Sequence, residues 1–241
     1  MSEKKVSEAI EFRRSVRIFD DEKDIDSALV KKCLEQAILA PNSSNLQLWE
    51  FYHVTSNEEI KKIAKACFNQ PAARTAMQFV IPVVRKDLYK KRIASNVAFI
   101  KSEYKKSIKK DDKKTNGAVS YYEKILPKFY GVKNLKGWIN SINTNIKGLK
   151  KVVYRQVKKS DMRVVVHKST ALAAQNFLVS MAGYGYDTCT MEGFDSLRVK
   201  KILGLPNTAE ISMVIGCGIR TEKGIYGPRF RVPFDEVYFE K

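Results

Sequence analysis

Apolar positions along the 241-residue chain fall into blocks with helical spacing and blocks with strand-like spacing. Val6, Ala9, Ile10 and Phe12 predict the buried side of a short first helix. Asp26 reads as an N-cap with Ile25 and Val30 placed as a hydrophobic staple, and Leu29, Val30, Cys33, Leu34, Ala37 and Ile38 repeat at helical spacing. Pro41 disfavours helical geometry at Ala40 and ends that helix. Residues 48–55 read as a strand, and Asn57 as the cap of a helix carrying Ile60, Ile63, Ala64 and Cys67. The continuous apolar run 79–84 predicts a buried strand, and Pro82 inside it predicts an edge or a bulge. Tyr89, Ile93, Val97, Ile100, Tyr104 and Ile108 form one stripe of a lysine-covered helix. Residues 109–117 read as a turn or mobile loop. Residues 121–151, interrupted by Pro127, Gly131, Gly137 and Gly148, read as irregular chain with short helices. The Ala-rich run 163–183, apolar on most sides, predicts a central buried helix. Residues 188–191 and 210–216 read as strands around a helix that starts at Asp195 and stops at Gly204. The apolar tail 229–239 predicts a strand or arm pinned on another subunit.

Composition narrows the class. A chain that is 44% hydrophobic and 29% charged suits one sizeable globular domain or two small ones. No apolar run follows Lys4 and Lys5 as a secretory signal would, and none approaches the roughly 20 residues of a membrane helix. Cys33, Cys67, Cys189 and Cys217 lack metal-ligand spacing, and His53 and His167 stand alone. Neither a metal site nor a disulfide framework is expected. The expected setting is the cytoplasm, with reduced, mostly buried thiols.

The net charge of +18 is unevenly spread. Between Arg85 and Lys168 there are 24 Lys/Arg against six Asp/Glu, and the remainder carries 20 of each. With no RNA- or DNA-binding signature beside it, this charge suits a solubilising face better than a polyanion site.

Candidate chemistry begins at Phe12-Arg13-Arg14-Ser15-Val16-Arg17. Three guanidinium forks and a hydroxyl within five residues match phosphate oxygens, although a solvated basic turn has the same composition. Gly183-Tyr184-Gly185 and Gly216-Cys217-Gly218 lack the third glycine of a dinucleotide fingerprint and read as turns at element ends. No nucleophile motif, Walker loop or paired carboxylate is present, so no side chain is assigned a catalytic role. The amides and hydroxyls of residues 42–47 suit a cofactor that performs the hard step itself.

Four stretches then combine: Arg13-Arg14-Ser15-Val16-Arg17, Ala40-Pro41-Asn42-Ser43-Ser44-Asn45-Leu46-Gln47-Leu48-Trp49, Met191-Glu192-Gly193-Phe194-Asp195 and Pro228-Arg229-Phe230-Arg231-Val232-Pro233. In this order the chain resembles the FMN-dependent nitroreductase family over essentially its whole length, with 86–161 the least similar part. The resemblance implies a single α+β domain over 1–241 with a central, mostly antiparallel sheet flanked by helices. It also implies a domain-swapped homodimer with C-terminal arm exchange and two FMN sites at the subunit interface, and it makes 85–168 a variable lid or excursion.

By the same resemblance, Arg13, Arg14 and Ser15 hold the FMN phosphate and ribityl chain, completed by Arg229 and Arg231, and Arg17 lies near the N1/O2 edge of the ring. Pro41, Asn42, Ser43 and Asn45 come from the other subunit. Asn69 or Gln70 bonds the pyrimidine edge, with Arg74 a looser match for a second cation. Met191 packs on a ring face, and the N–H of Glu192 or Gly193 approaches N5. Tyr121, Tyr122, Phe129, Tyr130 and Trp138 are candidate lid aromatics. The implied activity is hydride transfer from NAD(P)H through FMN to nitroaromatic or quinone acceptors in ping-pong fashion. The alternatives are a different reaction on the same fold (dehalogenation, dehydrogenation or flavin breakdown) and polyanion binding by the basic segment.

Overall fold

A strand that is apolar on both faces must be covered twice, and the sheet of this protein is built around one. The computed structural model describes residues 3–107 and 111–241. Its strand β2 (Gln78–Val84) is buried at every position. Phe79, Ile81 and Val83 enter one core cluster while Val80 enters another on the opposite face. β2 pairs antiparallel with β1 (Trp49–Val54) on one side. On the other side it meets β4 (Glu210–Ile211) and β5 (Val214–Gly218), and β5 pairs antiparallel with β3 (Asp187–Met191). The path is β1-β2-β5-β3, the antiparallel α+β arrangement expected.

Pro82 is not at an edge but lies at a bulge, the other expectation: Ile81 and Pro82 of β2 face three residues, 212–214, between the pairs Val80–Ile215 and Val83–Ile211. Its carbonyl accepts from Ser212 N at 2.9 Å. A strand residue's N–H and C=O point to the same side, so the donor Pro82 lacks would face the gap where β2's partner changes from β5 to β4. The strand expected over 210–216 is divided there. Gly216 and Gly218 lie within β5 rather than in a turn. A Cβ on Gly218 would come within 2.8 Å of the Phe19 ring, so the ring's seat on the strand requires glycine.

One face of the sheet is covered by α3 (Asn57–Ala66), α4 (Pro71–Arg74) and α10 (Ser196–Ile202), the other by α2 (Ser27–Ala37) and α9 (Lys159–Gly183). Asp26 caps α2 by accepting from Ala28 N, and Ile25 and Val30 are buried in one cluster, as the staple predicts. Ser56, not Asn57, holds the N-cap position of α3, since the helix already includes Asn57. The 25-residue α9 buries Met162, Val166, Thr170, Ala173, Phe177 and Met181, which share one side. Its opposite side is not buried as expected: Val164 and Leu172 face solvent. α1 (Val6–Phe12) buries only Ala9, leaving Val6 70% and Ile10 51% exposed, against the sequence expectation.

The basic segment is more helical than its glycines and proline suggest. α5 (Tyr89–Lys106) buries Ile93 and Val97 of the predicted stripe, while Ile108 lies outside the described residues. Beyond Asp111, which caps it through Lys114 N, α6 (Asp112–Ser120) replaces the expected loop and runs through a π turn into α7 (Leu126–Tyr130). Pro127 sits in the first turn of α7, where a missing donor breaks no helical bond. α8 (Asn134–Lys147) follows. The C-terminal tail forms no strand. It carries only a short turn over Phe234–Glu236, and Phe230, Val232, Phe234, Val237 and Phe239 are exposed.

Candidate functional site

The Arg13–Arg17 stretch is held in an extended conformation by its small apolar members. Val16 and Phe19 are buried in the core cluster beside β3, so the alternating residues Ser15 and Arg17 turn outward. Ser15 bridges Thr188 of β3, Val16 N donates to Thr188 O at 3.2 Å, and Arg17 N donates to Gly224 O at 2.7 Å. An ion pair between buried Asp187 and half-buried Arg220 fixes the entry to this stretch. Arg220 pairs with Asp187 through both its backbone and its guanidinium, donates to Phe12 O at 3.1 Å, and stacks its guanidinium 4.3 Å from the Phe12 ring centroid. Nothing in the local sequence marks Arg220 or Asp187, because they meet only through the β3–β5 pairing.

The tail returns to this stretch. Arg14 donates to Gly227 O at 2.7 Å, and Arg229 donates to Glu11 O at 2.8 Å and Arg13 O at 2.6 Å. Together Arg13, Arg14, Ser15, Arg17, Arg229 and Arg231 line a pocket of about 240 Å³, with Tyr226 and Phe230 at its wall. Both arginine groups predicted from opposite ends of the sequence therefore converge. None of the five guanidiniums forms an ion pair with a carboxylate among the described residues. Burial, followed by the charges of Arg229, Arg231 and Arg14, holds Arg13 below the usual guanidinium range. Chemically, the arrangement is suited to an anion, whose charge would offset the mutual repulsion of these cations.

Along β3 from this pocket, Arg17 Nη1 lies 3.7 Å from Cys189 Sγ. Burial raises the Cys189 thiol, and Arg17 only partly offsets it, so a neutral thiol is the resting form. Met191 is 3% exposed and belongs to the core, which takes its side chain away from any ring face. The exposed side chain on this end of β3 is Thr190, which strand alternation from buried Met191 would have indicated. Glu192 and Gly193 are exposed, and Gln70 reaches them: its Nε2 donates to Gly193 O at 3.0 Å and to Cys67 O at 3.2 Å. Left-handed Phe68 (φ 58°) and Asn69 (φ 47°) make the turn that delivers Gln70 there. The Gln70 amide hydrogens are thus engaged with the protein, while Asn69 and Arg74 are exposed.

Pro41, Asn42, Ser43 and Asn45 form a separate feature that does not line the arginine pocket. Ser44, Asn45 and Gln47 all have positive φ. The loop is locked by Asn42 Oδ1 accepting from Gln47 N, by reciprocal amide bonds between Asn45 and Asn96, and by Ser43 N donating to Ser169 Oγ. Ser43 and Ser44 border an apolar pocket of about 260 Å³ with Tyr121, Phe129, Tyr130, Tyr154 and Met162. Tyr122 donates to Ser44 O. Four of the five candidate lid aromatics therefore gather at this loop, and Trp138 stands apart, 62% exposed.

Known proteins share this framework. A Staphylococcus haemolyticus protein named "Putative NAD(P)H nitroreductase SH0546" is 27% identical over 224 residues, covering 89% of this chain and 88% of its own. Protein DrgA of Synechocystis is 25% identical over 89% of this chain and 84% of its own. Among solved structures, a "putative nitroreductase in complex with FMN" from Exiguobacterium sibiricum superposes with a TM-score of 0.68 at 20% identity, covering 100% of this chain and 99% of that one. The enone reductase CLA-ER, of gut-bacterial fatty acid metabolism, gives a TM-score of 0.71 at 18% identity, covering 99% of each chain. The model of the nitroreductase family matches residues 10–219, from within α1 to just past β5, and the chain belongs to that family.

Proposed function

We propose that the protein binds FMN and uses it to pass a hydride from NAD(P)H to a nitroaromatic or quinone-type acceptor. The observation that carries this reading is the convergence of five arginines, without a carboxylate partner among the described residues, on one pocket beside β3. A phosphate monoester fits that donor set: its oxygens accept from guanidinium forks, and its near-dianionic charge offsets the burial and the neighbouring cations that lower Arg13.

When bound, FMN supplies a two-electron carrier that takes and gives hydride at ring N5. Arg13, Arg14, Ser15, Arg229 and Arg231 hold the phosphate and ribityl chain. Arg17 places a fixed cation against the ring's pyrimidine edge, where negative charge develops as electrons arrive. By anchoring the carbonyl of Gly193, Gln70 steadies the turn whose Glu192 or Gly193 N–H would approach N5. Thr190, rather than Met191, presents a side chain to the ring. No side chain acts as acid or base.

The binding loop with Pro41, Asn42, Ser43 and Asn45 completes the site from a second copy. Support comes from the apolar side chains a single chain leaves outside: Val6, Ile10, Ile38, Leu39, Val164 and Leu172 on the helical face, and the tail side chains that follow Arg231. A homodimer with exchanged C-terminal arms covers both sets. One pocket that receives donor and acceptor in turn gives ping-pong kinetics.

Protein purified without added cofactor should show flavin absorbance, and anaerobic NADH or NADPH should bleach it. Colourless protein that fails to take up FMN, or colour that survives both nicotinamides, removes the assignment. Parallel steady-state lines with varied acceptor test the single pocket.

A further inference from the structure

α8 is an amphipathic helix turned inside out. Leu135, Trp138, Ile139, Ile142 and Ile146 recur at helical spacing and share one face, yet all are between 51% and 76% exposed. The opposite face, with Gly137, Asn140, Ser141 and Thr144, is the one turned inward. That orientation is fixed rather than loose. A Cβ on Gly137 would lie 3.2 Å from Lys158 Cα, so the backbone of residues 157–159 runs against the small-residue face. Arg155 caps the far end of the helix by donating to Asn145 Oδ1 and Gly148 O. Leu149, Val152 and Tyr154 extend the exposed apolar surface past the helix.

Charge identifies what covers this face. Residues 124–160 contain ten Lys/Arg and no Asp or Glu. Lys136, Lys147 and Lys150 flank the stripe, and Lys158 Nζ lies 4.3 Å from the Trp138 ring centroid. Outside 85–168 the charges of a second copy balance, and its exposed tail sets three carboxylates, Asp235, Glu236 and Glu240, against these ten cations. Two such faces brought together would repel. Nucleic acid would satisfy the lysines but gives no reason for a stripe of Leu and Ile. An apolar face with Trp, rimmed by lysines, matches the interface of an anionic bilayer, which accepts the apolar side chains below its headgroups and attracts the cations at its surface.

We infer that α8 docks the protein on a membrane surface rich in anionic lipid, with its apolar stripe in the headgroup region. The chain has two tryptophans, of which Trp49 is buried and Trp138 exposed, so Trp138 reports the event. The holoprotein is titrated with vesicles of phosphatidylcholine mixed with phosphatidylglycerol, and with vesicles of phosphatidylcholine alone. The expected result is a blue shift of Trp138 emission and co-sedimentation with the mixed vesicles, weakened by salt, and neither with the neutral ones. The double variant Ile139→Asp/Ile142→Asp should lower partitioning about tenfold or more. Its far-UV spectrum, flavin content and oligomeric state should stay unchanged. Lys136→Glu/Lys147→Glu, which keeps the apolar stripe, should weaken binding to the mixed vesicles about tenfold. Three results overturn the inference: no association with anionic vesicles, association indifferent to both double variants, or a dimer lost on Ile139→Asp/Ile142→Asp. Binding of a DNA duplex in place of vesicles does the same.

Discussion

The protein has two strongly basic regions, and they differ in how the charge is held. At the arginine pocket, planar guanidiniums are fixed by backbone carbonyls: Arg14 by Gly227, Arg229 by Glu11 and Arg13. Around α8, lysines on flexible stems stand in solvent with no acidic residue across 124–160. The pocket holds far fewer charges than the 85–168 segment, yet burial together with the neighbouring charges there holds Arg13 below its usual range. The α8 charges are spread over a surface and surround an apolar stripe. Convergence selects one anion of defined shape, and dispersion attracts any surface of opposite sign. Net charge alone, +18, could not have separated the two.

The largest expected effect comes from breaking the frame behind the pocket. Asp187→Ala leaves the half-buried Arg220 without its partner and should cost about 2–3 kcal/mol in denaturant unfolding, as expected for lost hydrogen bonds to a charged group. No single lysine around α8 should approach this. Next in size, Arg13→Ala should weaken FMN binding about 30-fold, read by flavin fluorescence in titrations of deflavinated protein, as expected for a lost charged hydrogen bond. Gln70→Ala should weaken it about fivefold, because only the support of the Gly193 carbonyl is lost. Lys136→Ala/Lys147→Ala should leave FMN affinity unchanged, and a shift as large as that of Arg13→Ala would erase the distinction between the regions.

A subtler contrast lies in stability without cofactor. Arg13 is held below its ordinary value, so the fold disfavours its charged form. That penalty is present throughout the pH range in which Arg13 stays protonated, and it is relieved only as the strongly alkaline folded value is passed. No pH dependence from this group is expected between about pH 5 and 9. Arg231→Ala removes one of the repelling charges. Its melting temperature should therefore match or slightly exceed the parent's without FMN and fall below it with FMN. A drop in both states would mean that Arg231 serves the fold rather than the ligand.

The sequence carried the fold well where burial and periodicity agree, as in the Ile25–Val30 staple, the α5 stripe and the apolar run of β2. It carried the arginine pocket because both halves are written as dense local clusters. It failed where a pattern shows which residues share a face but not which way that face turns. In α8 it missed the element as well: residues 121–151 read as irregular chain with short helices, while 134–147 form a 14-residue helix with its apolar stripe outward. Met191 is another case: the family resemblance implied a ring contact, while the register of β3 places it in the core and Thr190 outside. Val6 and Ile10 are a third, since they are apolar at helical spacing but lie on the face of α1 that no part of the same chain covers. Asp187 and Arg220 were illegible because each gains its meaning from a partner 33 residues away.

The clasp between the Arg13 stretch and the Arg229 stretch joins residues 213 to 218 positions apart. Closing so long a loop carries an entropy cost that grows with its length, so these contacts form after the shorter-range ones have reduced the effective separation. On the proposed reading, cofactor capture would then be a late event in maturation, and the rate at which added FMN is trapped during refolding would time the final step of folding itself.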